Sequence, residues 1–109
     1  MQMMRVELLP ESPLGSAAAF HADWLAKAQA MLAAGDDLTL IFPPADHMHR
    51  GWRLSVVQSL AREHAPLRVN AVASDEEAAI AATCVWLTNA PGVTGQYLPL
   101  DGTGAGLML

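Results

Sequence analysis

Two short runs are rich in apolar strand formers: Leu38-Thr39-Leu40-Ile41-Phe42 and Leu67-Arg68-Val69-Asn70-Ala71-Val72-Ala73. Runs of this kind suit parallel strands covered on both faces. Helix signals lie on either side of each. Pro43-Pro44 ends the first run, because proline cannot donate to a ladder. Asp46 then stands as the N-cap of a helix from His47 to about Ala65. Trp52, Val56, Leu60 and Ala61 line one face of it, Val57 widens the stripe, and Pro66 stops it.

The flanks repeat the pattern. Met4-Arg5-Val6-Glu7-Leu8 alternates apolar and polar residues, as a strand with one wet face does. Glu11 to Gly15 reads as a loop. Ser16 is placed to cap a helix running to about Ala34, with Phe20, Trp24, Leu25, Ala28, Met31 and Leu32 on one stripe and Gly35 as the C-cap glycine. After the second run, Ser74-Asp75-Glu76-Glu77 matches a capping box. It opens a helix carrying Ile80, Cys84, Val85 and Leu87 that ends near Asn89. A last strand covers Gln96 to Leu100, Asp101-Gly102 turns out of it, and the tail is rich in glycine.

The order β-α-β-α-β-α-β predicts an α/β fold. We expect a three-layer, Rossmann-like half-domain of about four parallel strands, with right-handed crossovers and helices on both faces. A length of 109 residues fits a single domain, residues 1–109.

Composition excludes several classes of function. The chain is 52% hydrophobic and 16% charged, which argues against disorder. Cys84 is the only cysteine, so no disulfide forms within one chain, and a reducing compartment is the natural home. Net charge is -5 and Lys27 is the only lysine, so no basic stripe is present to neutralise a nucleic-acid backbone. No apolar run approaches the ~20 residues that span a bilayer. The first fifteen residues do not read as a secretory signal, and the expected location is the cytoplasm.

From Gln58 to Gly102 the chain resembles the short-chain dehydrogenases/reductases. The residues that carry the resemblance are Ser59-Leu60-Ala61-Arg62-Glu63, the Leu67–Ala73 run, and Val93-Thr94-Gly95-Gln96-Tyr97-Leu98-Pro99-Leu100-Asp101-Gly102. It extends more loosely back to Phe20. The resemblance implies a Rossmann-type sheet of which this chain supplies the C-terminal half.

Departures from the family pattern bear on function. The Gly-x-x-x-Gly-x-Gly dinucleotide loop has no counterpart between Met1 and Phe42, where only Gly15 and Gly35 occur. Gly102, Gly104 and Gly106 open no helix and lack the strand–turn–helix setting of a phosphate site. By the family's spacing, Asp46 stands where the catalytic tyrosine belongs and Arg50 where the lysine belongs. Pro43-Pro44 stand in place of the catalytic serine, and Ser74-Asp75 in place of the Pro-Gly beside the cofactor. The substrate lid is missing. An aspartate titrates near 4, far from the neutral proton donor that carbonyl reduction needs.

These departures predict no catalytic residues and no cofactor, with NAD(P) reaching the chain only through a partner subunit. The leading expectation is a non-catalytic scaffold or assembly protein, a pseudoenzyme. The resemblance implies a homodimer through the helices around Phe20–Ala34 and His47–Ala65, with Trp24, Trp52 and Val56 as interface candidates. A full-length relative is the alternative partner. A further alternative is a ligand site, or an unrelated activity, at Asp46, His47, His49 and Arg50. On a helix, His47 and His49 face apart, so capping outweighs metal binding there. Cys84 reads as a small buried hydrophobe.

Overall fold

The computed structural model describes residues 1–100. The expected Asp101-Gly102 turn and the glycine-rich tail lie outside the described residues. Four strands form one all-parallel sheet: β1 (Gln2–Arg5), β2 (Leu38–Phe42), β3 (Val69–Ala73) and β4 (Tyr97–Pro99), in the order β1-β2-β3-β4. Between β1 and β2 lie α1 (Pro13–Asp23) and α2 (Leu25–Ala33). A 3-10 turn, His47–His49, leads into α3 (Arg50–Glu63), and α4 (Glu77–Thr88) joins β3 to β4. The fold is thus the expected Rossmann-like half-domain of four parallel strands.

Strand side chains alternate between the two faces. Met4, Val6, Leu38, Leu40, Phe42, Val69, Ala71, Ala73 and Tyr97 meet Phe20, Ala28, Leu32, Val56, Val57 and Leu60 in the main core. α1, α2 and α3 therefore share one face. On the other face Ile41 packs with Ile80 and Cys84, and Arg5 pairs with Glu77 at 2.7 Å, which places α4 there. All strands are parallel and every crossover steps the same way along the sheet. A helix on the opposite face therefore gives the β3–α4–β4 crossover the opposite hand to the first two. The three crossovers do not share one hand, so the expectation of three right-handed crossovers does not hold. No helix of the described residues is long and apolar enough to cross a membrane.

Several boundaries move. β1 covers Gln2–Arg5 rather than Met4–Leu8. The alternation of burial holds from Met4 to Glu7. Then Leu8 takes φ 58°, leaves the sheet and lies exposed. The first helix starts at Pro13, not Ser16. Ser12 is its N-cap, accepting from the Gly15 amide at 3.0 Å, and Pro13 opens the helix without an N–H to satisfy. Ser16 is buried inside that first turn. The helix breaks at Trp24, whose φ of −119° separates α1 from α2. Gly35 ends α2 at φ 100°, as its type suggested.

Asp46 caps as expected, with its carboxylate 3.0 Å from the Met48 amide, but the turn it caps is 3-10 and α3 ends at Glu63. The Ser74–Glu77 capping box does not form. Ser74 Oγ accepts from the Glu76 amide, α4 begins at Glu77 with Glu76 at its N-cap, and the Glu77 carboxylate binds Arg5 instead.

Candidate functional site

The C-terminal ends of β1 and β2 and the first turns of α1 and α3 enclose a cavity of ≈ 420 Å³. Open α/β sheets place ligands at this edge. Leu9, Pro10, Pro43 and Pro44 form apolar walls, and Ser16, Asp46, His49 and Arg53 contribute polar groups.

Arg53 is the unusual member. It sits in the first turns of α3, only 2% exposed, on the same face as Val56, Val57 and Leu60. Its Nη1 donates to the Pro43 carbonyl at 2.9 Å and to the Tyr97 hydroxyl at 3.1 Å. The guanidinium lies 4.6 Å from the Phe42 ring centre and 5.7 Å from that of Trp52, and these π faces partly replace lost hydration. Nε is buried without a partner, and among the described residues no carboxylate pairs with Arg53. A buried cation without a counter-charge is an expensive arrangement. Ser16 Oγ, lining the same cavity, is likewise buried without a partner. A serine in a helix commonly bonds back to the carbonyl four residues earlier; here the Ser12 carbonyl takes only the Ser16 amide.

Of the four residues singled out in the sequence, two line this cavity. Asp46 does so while capping the 3-10 turn. His49 is 7% exposed and both its ring nitrogens are engaged. Nδ1 accepts from Trp52 Nε1 at 3.2 Å, which leaves Nε2 as the N–H donor to the Glu11 carbonyl at 2.9 Å. His47 and Arg50 are exposed and lie outside the cavity lining. Among the described residues no group of three or more His, Cys, Asp or Glu could hold a metal ion. Ser16, Arg53 and Tyr97 are the functional candidates that sequence reading passed over. The signal for Arg53 was present: residues 53, 56, 57 and 60 follow helical spacing, so an arginine occupies the apolar stripe.

The three strand-to-helix turns at this edge are where a dinucleotide pyrophosphate would need unengaged amides and a positive field. After β1, Pro13 has no N–H, the Gly15 amide bonds Ser12 Oγ, and Glu11 adds a carboxylate. A Cβ on Gly15 would meet that hydroxyl at 2.7 Å, so the glycine makes room for the cap rather than for a ligand. After β2, Pro43-Pro44 and the self-capping Asp46 fill the turn. After β3, Ser74 caps Glu76, and Asp75, Glu76 and Glu77 crowd acids together. Residues of this kind do not fit a pyrophosphate.

The interface candidates sit on the α1–α3 face. Trp52 packs between Phe20 and Phe42, with ring centres 5.7 and 5.6 Å away. Val56 is buried. Both line a groove of ≈ 250 Å³ between the helices, together with Leu25, Leu60 and the polar Gln29 and Ser55. Trp24 stands at the α1–α2 junction outside that groove, with Lys27 Nζ 4.7 Å from its ring centre. On the opposite face of the sheet, burial raises the Cys84 thiol above its ordinary value of 9.0, and Arg5 opposes this.

Comparison with protein-family models matches residues 4–100 to SDR-like, the short chain dehydrogenase-like protein family. No curated protein and no solved structure matches the chain. The match covers nearly all of the described residues, including every strand and helix from Met4 onward. The chain belongs to the SDR-like family of short chain dehydrogenase-like proteins.

Proposed function

We propose that this chain is a non-catalytic SDR-like module that works by associating with a second copy of itself. The observation that carries the reading is the state of the three strand-to-helix turns. Each is closed by an oxygen of its own side chains, from Ser12, Asp46 or Ser74, and each carries a carboxylate. A nicotinamide cofactor meets repulsion there instead of a cradle. The positions that match the family's tyrosine and lysine support the same conclusion. Asp46 caps a turn and Arg50 faces solvent. Tyr97, the only tyrosine, is buried with its hydroxyl held by Arg53. NAD(P) enters the biology of such a chain only by way of a partner subunit.

Association accounts for the groove between α1, α2 and α3, whose floor of Leu25, Trp52, Val56 and Leu60 is apolar. A second copy meeting this face in two-fold fashion would cover both grooves at once. Sedimentation equilibrium tests it. The wild-type chain is expected at twice the monomer mass, and Ser55→Arg, at an exposed position on the groove, is expected to give a folded monomer. A wild-type monomer throughout the micromolar range contradicts the proposal.

A further inference from the structure

We propose that the cavity at the strand ends is a binding site for a small monocarboxylate, whose head group is held by Arg53 and Ser16 and whose body rests on the proline walls. Two polar side chains there lack partners inside the fold: Arg53, 2% exposed, through Nε, and Ser16, 0% exposed, through Oγ. Both line the same cavity of ≈ 420 Å³. Pro43 and Tyr97 engage only Nη1 of the guanidinium, which leaves the edge formed by Nε and Nη2. A carboxylate matches that edge with two parallel N–H···O bonds and supplies the counter-charge that the described residues do not.

The other lining groups narrow the class. Arg53 is the only arginine or lysine in the lining, and Glu11 and Asp46 line the cavity as well. A dianion such as phosphate would add two negative charges to a lining that already holds two carboxylates and one cation, whereas a monocarboxylate adds one and pairs it directly with Arg53. His49 has both ring nitrogens engaged and offers no further donor to the head group. Leu9, Pro10, Pro43 and Pro44 offer apolar surface to a short hydrocarbon chain. This site is independent of the self-association proposed above, because the groove lies between the helices and shares no lining residue with the cavity.

Isothermal titration of the full chain with acetate, butyrate and hexanoate tests the proposal, with butyramide and inorganic phosphate as controls. Butyrate and hexanoate are expected to bind, and butyramide at least about tenfold more weakly, because it lacks the charge. Ser16→Ala removes a hydroxyl that bonds nothing in the fold. It is expected to leave the melting temperature unchanged and to weaken butyrate about three- to tenfold. Arg53→Lys is expected to weaken it at least about tenfold, since an ammonium cannot present the two-pronged edge. Where Arg53→Lys disturbs folding through Pro43 and Tyr97, Ser16→Ala carries the test. Asp101→Asn is expected to leave stability unchanged. The proposal is overturned by no carboxylate binding at millimolar concentration, by phosphate binding more tightly than butyrate, or by wild-type affinity in Ser16→Ala. An Asp101→Asn variant clearly less stable than the wild type would mean that the counter-charge is internal, which overturns it too.

Discussion

Asn70, the second residue of β3, holds Gln96 at the entry to β4: its Oδ1 accepts from the Gln96 amide at 3.1 Å, and its Nδ2 donates to the Val93 carbonyl at 3.0 Å. Thr94 Oγ1 accepts from the Val69 amide alongside, and the Gly95 amide bonds the Val69 carbonyl at 2.7 Å. Two of the three sequence stretches that carry the family resemblance, the Leu67–Ala73 run and the segment from Val93, are thus one hydrogen-bonded unit. Asn70 is 2% exposed, so Asn70→Ala leaves both partners without it inside the sheet. Urea unfolding is expected to show a loss of about 2 kcal/mol.

Arg68 ties the N-terminal ends of β2 and β3 to the last turn of α4. Its Nε lies 3.1 Å from Asp37 Oδ2, and its Nη1 donates to the Leu87 and Ala90 carbonyls at 2.9 and 2.8 Å. A planar fork makes these contacts together and an ammonium does not. Arg68→Lys is expected to lower stability by about 1–2 kcal/mol, read by denaturant titration.

The raised Cys84 thiol contributes to the alkaline limb of stability. The unfolded chain loses this proton near 9.0, while the folded chain retains it to higher pH. Folding is therefore favoured fully below that value and is progressively weakened as pH rises through the folded-state value. Thermal melts across this window are expected to fall for the wild type and to fall less for Cys84→Ala. Native chain should alkylate slowly with iodoacetamide until it is unfolded.

Tyr97 is the far anchor of the buried arginine. Tyr97→Phe keeps the ring against Phe42, whose centre is 6.5 Å away, but removes one acceptor from Arg53. Hydrogen bonds to charged groups contribute about 1.5–3 kcal/mol, and a loss toward the lower end is expected because the Pro43 carbonyl remains. Chemical denaturation reads it directly.

Strands β2 and β3 were legible because their apolar runs end at prolines and polar caps, and Gly35 and Asp46 behave as their residue types suggest. Ser12 and Ser16 both have the chemistry of an N-cap; Pro13, a residue that suits a loop as well as the first helical position, decides between them. The face chosen by α4 was not legible. Its sequence is apolar on every side, leaving Ala78, Ala81, Ala82, Val85 and Trp86 exposed, so no stripe announces which side packs. At the strand ends, Asp46 and His49 stand out in the sequence by their local polarity, while Arg53 does not, because its neighbours on the stripe are core residues.

Sedimentation velocity in the presence of NADPH, with detection of both the protein and the reduced cofactor, reads self-association and cofactor binding in one experiment. An associating module without hydride chemistry predicts one boundary at the mass of a dimer, with the cofactor signal left behind in free solution. A monomer boundary that carries NADPH with it would show a cofactor-binding chain that does not self-associate, the opposite of the proposed module.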